Sequence, residues 1–244
     1  MRGKYDSTEG VTSREMVLFF MADTSGSMSG KRIGTLNEAI NNVIPEIKRI
    51  SADSADATIK IAVMKFSCGA EWIYPAPVDA ESFKWKYLDA DGWTDFGAAC
   101  RTLKDKLSRK TGFMAAAAGA FAPVIFLLSD GEPTDEYHTA LEQLRNNSWF
   151  NSAVKVAVAI GEDANEDVLV EFTGTKETVV KVHTPEALSK LVRFIAVTSS
   201  QIGSNSQDRQ GNGNIELTKQ HTVGQQIQSY VDNQLNDSDD DDWD

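Results

Sequence analysis

The stretch MVLFFMADTSGSMSG, residues 16–30, decides the fold of this chain. Its first part, residues 16–22, is a continuous apolar run without helical spacing, which is typical of a strand buried on both faces of a sheet. Its second part is a turn rich in Ser and Gly that begins at Asp23. Apolar residues at helical intervals then follow at Leu36, Ile40, Val43, Ile44 and Ile47. The stretch therefore predicts a strand, an oxygen-rich turn and a helix, which together form one unit of an α/β domain.

Strand and helix patterns alternate along the rest of the chain. Further strands are predicted at residues 58–67, 71–74, 123–128, 154–160 and 178–182. Further helices are predicted at residues 96–107, 136–145, 166–172 and 185–197. Because strands separated by helices form parallel βαβ units, we predict a doubly wound, mostly parallel central sheet with helices on both faces. Segment 71–74 is expected to be a hairpin partner of the strand before it, and Pro45 is expected to kink or split the first helix.

The composition divides the chain into three parts. Residues 1–13 are a polar N-terminal extension, and residues 14–200 carry the alternating pattern of one α/β domain. Residues 201–244 are rich in Gln, Asn, Gly, Ser and Asp, which predicts a flexible linker at 203–214 and an acidic tail. Apolar residues between positions 215 and 235 fit one side of a short helix. The tail is expected to be disordered or to become ordered on a partner.

The formal net charge of −12 argues against a protein that binds nucleic acids or anionic membranes, because both functions need a basic surface. No apolar stretch has the length of a membrane span or the form of a secretory signal, so we expect a soluble, cytoplasmic protein. Cys68 and Cys100 lack C-x-x-C spacing and are expected to be reduced, with a single bridge between them as the open alternative.

Three oxygen-rich turns lie at or near predicted strand ends. The first is DTSGS at residues 23–27, directly after the first strand, and the second is GWTD at residues 92–95, just before a helix. The third is SDG at residues 129–131, directly after the strand 123–128. In an open doubly wound sheet, ligands bind beyond the carboxyl ends of the strands, where the strand order reverses. The three turns are therefore candidates for one shared ligand site.

The side chains of these turns suit a hard divalent cation. Mg²⁺ prefers oxygen ligands in an octahedron and keeps some of its waters. Ser25, Ser27 and Thr94 offer neutral hydroxyl oxygens, whereas Asp23 and Asp130 offer charged oxygens directly or through water. Two carboxylates roughly neutralise a divalent ion, so the metal stays electrophilic enough to accept a carboxylate from another molecule. This charge balance favours a docking site over a closed metal cage.

The three turns in this order resemble the metal-ion-dependent adhesion site of von Willebrand factor A domains. The resemblance rests on DTSGSMSG, on the threonine of GWTDFGAA and on the aspartate of FLLSDGEPTD, and it covers about residues 14–200. It implies that Asp23, Ser25, Ser27, Thr94 and Asp130 hold the metal, which is Mg²⁺ with Mn²⁺ or Ca²⁺ as alternatives. It also implies a sheet with one short antiparallel edge strand, and a protein that binds partners rather than an enzyme.

The motif SDGEPTD at residues 129–135 resembles most the motif of the bacterial tellurite-resistance TerY branch of this family. The resemblance to that branch implies a cytoplasmic adaptor in a stress or defence system, with a protein kinase or phosphatase as the partner that offers the carboxylate. Three residues are further candidates for contact with a partner: Trp93, Asp95 and Trp243. Trp243 lies in the acidic segment DDDDWD at residues 239–244, which suits a basic groove on a partner, with the indole ring as an anchor.

Alternative hypotheses start from the same turns. DTSGS alone is also typical of a capped helix start. GSMSGK at residues 26–31 joins a strand to a helix as a phosphate-binding loop does, but only three residues separate its glycines, and Arg32 stands where that loop has Ser or Thr. A Mg²⁺-dependent phosphatase would use Asp23 as its nucleophile, yet Ser25 stands where the general acid is expected. A metal-independent scaffold would act through the acidic tail alone.

Overall fold

The computed structural model describes residues 14–54, 57–116, 119–182, 184–205 and 215–234, and all structural statements below concern these residues. Their fold is a seven-stranded sheet with helices on both faces. The strands are β1 (Arg14–Asp23), β2 (Ala57–Ser67), β3 (Gly69–Trp72), β4 (Val78–Asp79), β5 (Val124–Ser129), β6 (Val154–Ala159) and β7 (Val179–Lys181). The helices are α1 (Lys31–Asp53), α2 (Phe96–Lys106), α3 (His138–Arg145), α4 (Ser148–Ser152), α5 (Glu166–Thr173), α6 (Pro185–Asn205) and α7 (Ile215–Gln234).

The sheet has the strand order β3-β2-β1-β5-β6-β7. Strands β2, β1, β5, β6 and β7 are parallel, and both β3 and β4 pair antiparallel with β2. The predicted mostly parallel, doubly wound fold is therefore confirmed. Strand β1 lies between β2 and β5, so the chain leaves β1 to one side and later returns to its other side. The strand order thus reverses between β1 and β5.

Strand β1 shows why a continuous apolar run makes a central strand. Its alternate residues Leu18, Phe20 and Ala22 pack into the core on one face of the sheet. The residues between them, Val17, Phe19 and Met21, pack into the core on the other face. Because both faces are covered by helices, neither set can be polar. This burial fixes the position of the turn that begins at Asp23.

The sequence predicted that Pro45 kinks or splits the first helix, and the structure shows that α1 is not split there. It runs without interruption from Lys31 to Asp53, with Pro45 inside it. Pro45 is exposed, whereas Val43, Ile44 and Ile47 around it are buried. The hydrogen bond that proline cannot donate is therefore missing on the solvent side, where water can replace it.

The C-terminal region contains two helices, and the domain limit predicted at residue 200 stays a prediction. Helix α6 continues to Asn205, beyond that limit and into the predicted linker 203–214. The predicted short helix is present as the longer α7, and its Val223 and Ile227 are fully buried in the core. Tyr230 stacks on Phe194 of α6, with ring centroids 4.5 Å apart. Helical structure is therefore present after residue 200, and the acidic end lies outside the described residues.

The two cysteines are free and in different surroundings. Cys68 is exposed, whereas Cys100 is buried in helix α2. Burial raises the pKa of the Cys100 thiol to about 12, so this thiol stays protonated. None of the described helices is long and apolar enough to cross a membrane.

Candidate metal centre

The predicted site lies at the carboxyl ends of β1 and β5, where the strand order reverses. Asp23 is the last residue of β1, and Asp130 follows directly after β5. The two strands are paired up to Ala22 and Leu128, so Asp23 and Ser129 come next to each other one step further along. Parallel pairing of two buried strands therefore brings the first and third oxygen-rich turns together.

The first turn folds around the carboxylate of Asp23. The backbone N–H of Ser25 donates to Asp23 Oδ1 at 2.9 Å, which closes the turn over the strand end. The hydroxyl oxygens of Ser25 and Ser27 lie 3.0 Å apart. Ser25 is buried and Ser27 is exposed, so the pair leads from the interior to the surface. Two hydroxyls and a carboxylate thus meet within five residues of the chain.

Asp23 is a buried carboxylate with an unusual pKa. Its side chain is 0% exposed, and burial raises its pKa to about 6, with a smaller contribution from the nearby charge of Asp130. Hydrogen bonds from the Ser129 hydroxyl at 2.5 Å and from Ser25 oppose this rise. Each carboxylate oxygen has two lone pairs, so both can still accept a water or a cation. A divalent cation here would offset the energetic cost of burying this charge.

Asp130 has an oxygen atom without a partner. Its side chain is 1% exposed, and Oδ1 is buried and accepts no hydrogen bond. The other oxygen, Oδ2, accepts from the guanidinium of Arg32 at 3.2 Å. An unpaired buried carboxylate oxygen is energetically costly, and such atoms in folded proteins commonly face an ion or a water. The residues present therefore fit a bound cation.

The second turn is tied to the first by the backbone. The N–H of Gly26 donates to the carbonyl of Gly92 at 3.0 Å, and the N–H of Asp91 donates to the carbonyl of Thr24 at 2.9 Å. Thr94 is buried, and it lines the same shallow depression as Ser129. The structure therefore gathers the candidate ligands of all three turns at one edge of the sheet.

The composition of the site limits the metals that it suits. Within the part of the chain that the structure describes, no group of three or more His, Cys, Asp or Glu side chains is placed to hold a metal. A cation here would therefore depend on two carboxylates supplemented by hydroxyl oxygens and water. Such oxygen donors suit hard ions, whereas zinc in structural sites is usually held by Cys and His.

Comparison with known proteins identifies the family. The sequence model of the von Willebrand factor type A domain matches residues 18–194, which is more than half of the chain. The chain belongs to this family. No curated protein matches the chain. The VWA family is known for protein–protein interaction through metal-ion-dependent adhesion sites, and its members are typically not enzymes.

Solved structures show the same VWA fold at low sequence identity. A von Willebrand factor type A protein from Catenulispora acidiphila is 20% identical, with a TM-score of 0.57 over 77% of this chain and 43% of that chain. Proximal thread matrix protein 1 from the mussel byssus, with a zinc-occupied MIDAS motif, is 14% identical, with a TM-score of 0.56 over 77% and 48%. The pilus adhesin SpaC from Lactobacillus rhamnosus GG is 12% identical, with a TM-score of 0.56 over 80% and 31%. The chain spans less than half of the length of each.

The predicted partner-contact residues of this VWA domain have different surroundings. The side chain of Trp93, next to Thr94, is 68% exposed, so it is free to contact a partner. Asp95 instead accepts a hydrogen bond from the N–H of Gly69 at 2.8 Å and thereby holds the start of β3. Contact of Asp95 with a partner stays a prediction, and Trp243 lies outside the described residues.

Three residues that contact the candidate ligands were not among the predicted ligands. Ser129 donates to Asp23, and Thr134 Oγ1 accepts from the N–H of Thr94 at 2.9 Å, which positions that loop. Arg32 contacts Asp130, although the sequence drew attention to it only as a mismatch to a phosphate-binding loop. Ser129 was detectable because it stands at a buried strand end beside Asp130. No local signal identifies Thr134 or Arg32, since both contacts depend on how distant loops pack.

Gly131→Ala is expected to destabilise the protein more than Gly174→Ala. Both glycines have positive φ, at 74° and 83°, which costs a residue with a Cβ about 1–2 kcal/mol. A Cβ at Gly131 would lie 2.3 Å from the carbonyl oxygen of Asn165, whereas a Cβ at Gly174 meets nothing within 4 Å. Chemical unfolding should show an additional loss of about 1–3 kcal/mol for Gly131→Ala. Equal losses would contradict this packing of Gly131 beside the site.

Proposed function

We propose that this VWA domain is a metal-dependent adaptor that binds a partner protein through the partner's Asp or Glu side chain. Asp23, Ser25, Ser27, Thr94 and Asp130 would hold one divalent cation, and the incoming carboxylate would complete its coordination. The unpaired Oδ1 of buried Asp130 is the observation that carries this proposal, because it provides a negative oxygen with no protein partner. The ligand set and the partner are part of the proposal.

The charge of the site supports docking of an anion. The two carboxylates of the set balance the charge of a divalent cation, and the hydroxyls add none. A further carboxylate is then attracted to the electrophilic metal rather than repelled by an anionic cage. The exposed Ser27 and Trp93 border the buried ligands, so a partner has access to this edge of the sheet.

Mg²⁺ is the proposed ion, with Mn²⁺ and Ca²⁺ as the alternatives. All three are bound by carboxylate, hydroxyl and water oxygens. The bound ion would supply an electrophilic coordination position for a carboxylate oxygen. The protein would orient the ion and exclude water from beneath it, since the candidate ligands other than Ser27 are buried.

The cellular context is proposed from the SDGEPTD motif at residues 129–135. On the basis of this motif we propose that the chain belongs to the cytoplasmic tellurite-resistance TerY branch, with a protein kinase or phosphatase as the partner. Docking of the acidic tail in a basic groove of the partner would add to the affinity by raising the effective concentration of the two sites.

Two rival functions have weaker support. An aspartyl nucleophile needs an exposed carboxylate, yet Asp23 is 0% exposed and both of its oxygens accept hydrogen bonds. A scaffold that acts through the tail alone predicts that removal of residues 235–244 abolishes partner binding and that changes at Thr94 have no effect. A longer deletion would also remove buried residues of α7, so a loss of binding would not distinguish the tail from the folded core.

Thr94→Ala is expected to abolish metal-dependent capture of the partner. The purified domain would be used to capture proteins from an extract of the source organism, in Mg²⁺ or in EDTA. We expect one set of proteins to be bound only in Mg²⁺ and to be lost with Thr94→Ala, because a cation ligand is removed. Thr139→Ala changes an exposed threonine of α3 and should have no effect. Capture that is equal in EDTA and in Mg²⁺ would refute the proposal.

A further inference from the structure

The guanidinium of Arg32 connects three loops around the candidate metal centre. Arg32 is in the first turn of α1, and its Nη1 donates to Asp130 Oδ2 at 3.2 Å and to the carbonyl of Ser27 at 3.3 Å. Its Nη2 pairs with Asp163 in the loop between β6 and α5. A positive charge is therefore placed at the edge of the site, beside the carboxylate that has the unpaired oxygen.

The loop between β6 and α5 is shaped to accommodate this guanidinium. Gly161 has a φ of 102°, and a Cβ at this position would lie 2.8 Å from Arg32 Cζ. Any larger residue would therefore displace the guanidinium. The absence of a side chain at Gly161 leaves room for the guanidinium of Arg32 against the loop.

The two ion pairs of Arg32 differ in burial. Asp130 is 1% exposed, so its contact is fixed within the site, whereas the side chain of Asp163 is 73% exposed. An ion pair with an exposed acid contributes little to stability and is readily exchanged. Arg32 itself is 27% exposed, and an arginine has five N–H donors in a planar fork that matches a carboxylate. An incoming carboxylate is thus able to replace Asp163.

We propose that Arg32 is the specificity-determining residue that binds the second oxygen of the partner's carboxylate, and that Asp163 occupies this position in the free protein. The inference rests on the proposed function, since the first oxygen would bind the cation. It explains why a site that attracts cations keeps a basic residue at its edge. An arginine beside the metal selects an anionic group over a neutral oxygen ligand such as a hydroxyl or amide.

This role predicts opposite effects on two affinities. The positive charge of Arg32 repels a cation, so its removal strengthens binding of the metal alone. The same charge attracts a carboxylate, so its removal weakens binding of a carboxylate to the loaded site. A residue that only maintains the fold would weaken both affinities or lower stability.

The test uses Mn²⁺ and acetate on the full chain. Free Mn²⁺ is measured by electron paramagnetic resonance, and acetate binding to the Mn²⁺-loaded protein is followed by water proton relaxation. Arg32→Gln should bind Mn²⁺ more tightly and acetate about tenfold more weakly, as expected for loss of a charge-assisted hydrogen bond. Arg32→Lys should bind acetate with intermediate affinity, because it keeps the charge but loses the fork. Asp163→Asn should bind acetate more tightly than the control Asp167→Asn, which removes an exposed acid four residues away.

The outcomes separate this inference from the proposed function. The wild-type protein must first bind both Mn²⁺ and acetate. If Arg32→Gln then binds acetate with unchanged affinity, the role of Arg32 is refuted and the proposed function is not. Equal acetate affinities for Asp163→Asn and Asp167→Asn would refute the exchange with Asp163. A wild-type protein that binds no Mn²⁺ would instead refute the proposed metal site.

Discussion

Asp23→Asn is expected to abolish binding of the divalent cation and, at the same time, to stabilise the metal-free protein. The substitution keeps the shape of the side chain and removes a negative charge that is fully buried. The amide oxygen can still accept from the N–H of Ser25, and the amide nitrogen can donate to the Ser129 hydroxyl. The variant therefore loses a proposed metal ligand without losing the hydrogen bonds that close the turn.

The pH dependence of this stabilisation has a definite sign. The pKa of Asp23 is raised from 3.8 to about 6, so the folded state binds this proton more tightly than the unfolded state does. The wild-type protein accordingly loses stability as the pH rises from about 4 to 6, and the cost is constant above that range. Asn does not titrate, so the advantage of Asp23→Asn should be absent near pH 4 and reach about 3 kcal/mol above pH 7.

Chemical unfolding in EDTA at pH 4, 6 and 8 measures this effect, and Mn²⁺ titration measures the loss of binding. Asp105→Asn is the matched control, because Asp105 is an exposed acid of α2. A variant that still binds Mn²⁺ with wild-type affinity would exclude Asp23 as a ligand. Stability that is equal to the wild type at pH 8 would mean that the burial of Asp23 is not costly.

Ile227→Ala is expected to lower the free energy of unfolding by about 2–5 kcal/mol, the usual cost of removing most of a buried isoleucine side chain. Ile227 is fully buried in the core, although it belongs to a helix that follows the predicted end of the domain. Its helix also packs Val223 into the core and hydrogen-bonds Gln228 Nε2 to the carbonyl of Glu177 at 3.2 Å. The prediction therefore tests whether α7 is an integral part of the folded unit.

Gln226→Ala is the control for this substitution, because Gln226 is exposed on the same helix. We expect its unfolding midpoint to be close to that of the wild type. Equal stability of the Ile227→Ala and Gln226→Ala variants would show that α7 is not packed against the domain. In that case the predicted domain limit at residue 200 would be the better description.

The strands and the candidate ligands were predictable because their signals are local. The apolar runs of β1 and β5 leave no alternative to burial on two faces. The first run stops at Asp23, and the second stops at Ser129, directly before Asp130. Residues at the ends of adjacent parallel strands must converge, so Asp23 and Asp130 were predictable as neighbours. Thr94 required the resemblance to a known family, since it does not follow a strand directly.

The features that the sequence did not predict depend on packing between distant segments. Pro45 was expected to kink or split α1, and its position on the solvent side, away from the core, makes an unsplit helix tolerable. Helix α7 has few apolar residues, and its contacts with α6, β6 and the segment Lys176–Thr178 show that it packs against the domain. The pairing of Arg32 with Asp163 joins residues that are 131 positions apart, which no local pattern reveals.

The free thiol of Cys68 provides a chemical probe for movement of the loop that carries the candidate ligand Thr94. Its sulfur accepts a hydrogen bond from the N–H of Trp93 at 3.4 Å, immediately before the candidate ligand Thr94. Cys100 is buried and has a raised pKa, so alkylating reagents will discriminate strongly between the two cysteines. The rate of alkylation of Cys68 should therefore register any movement of the Gly92–Thr94 loop, without the introduction of a foreign residue.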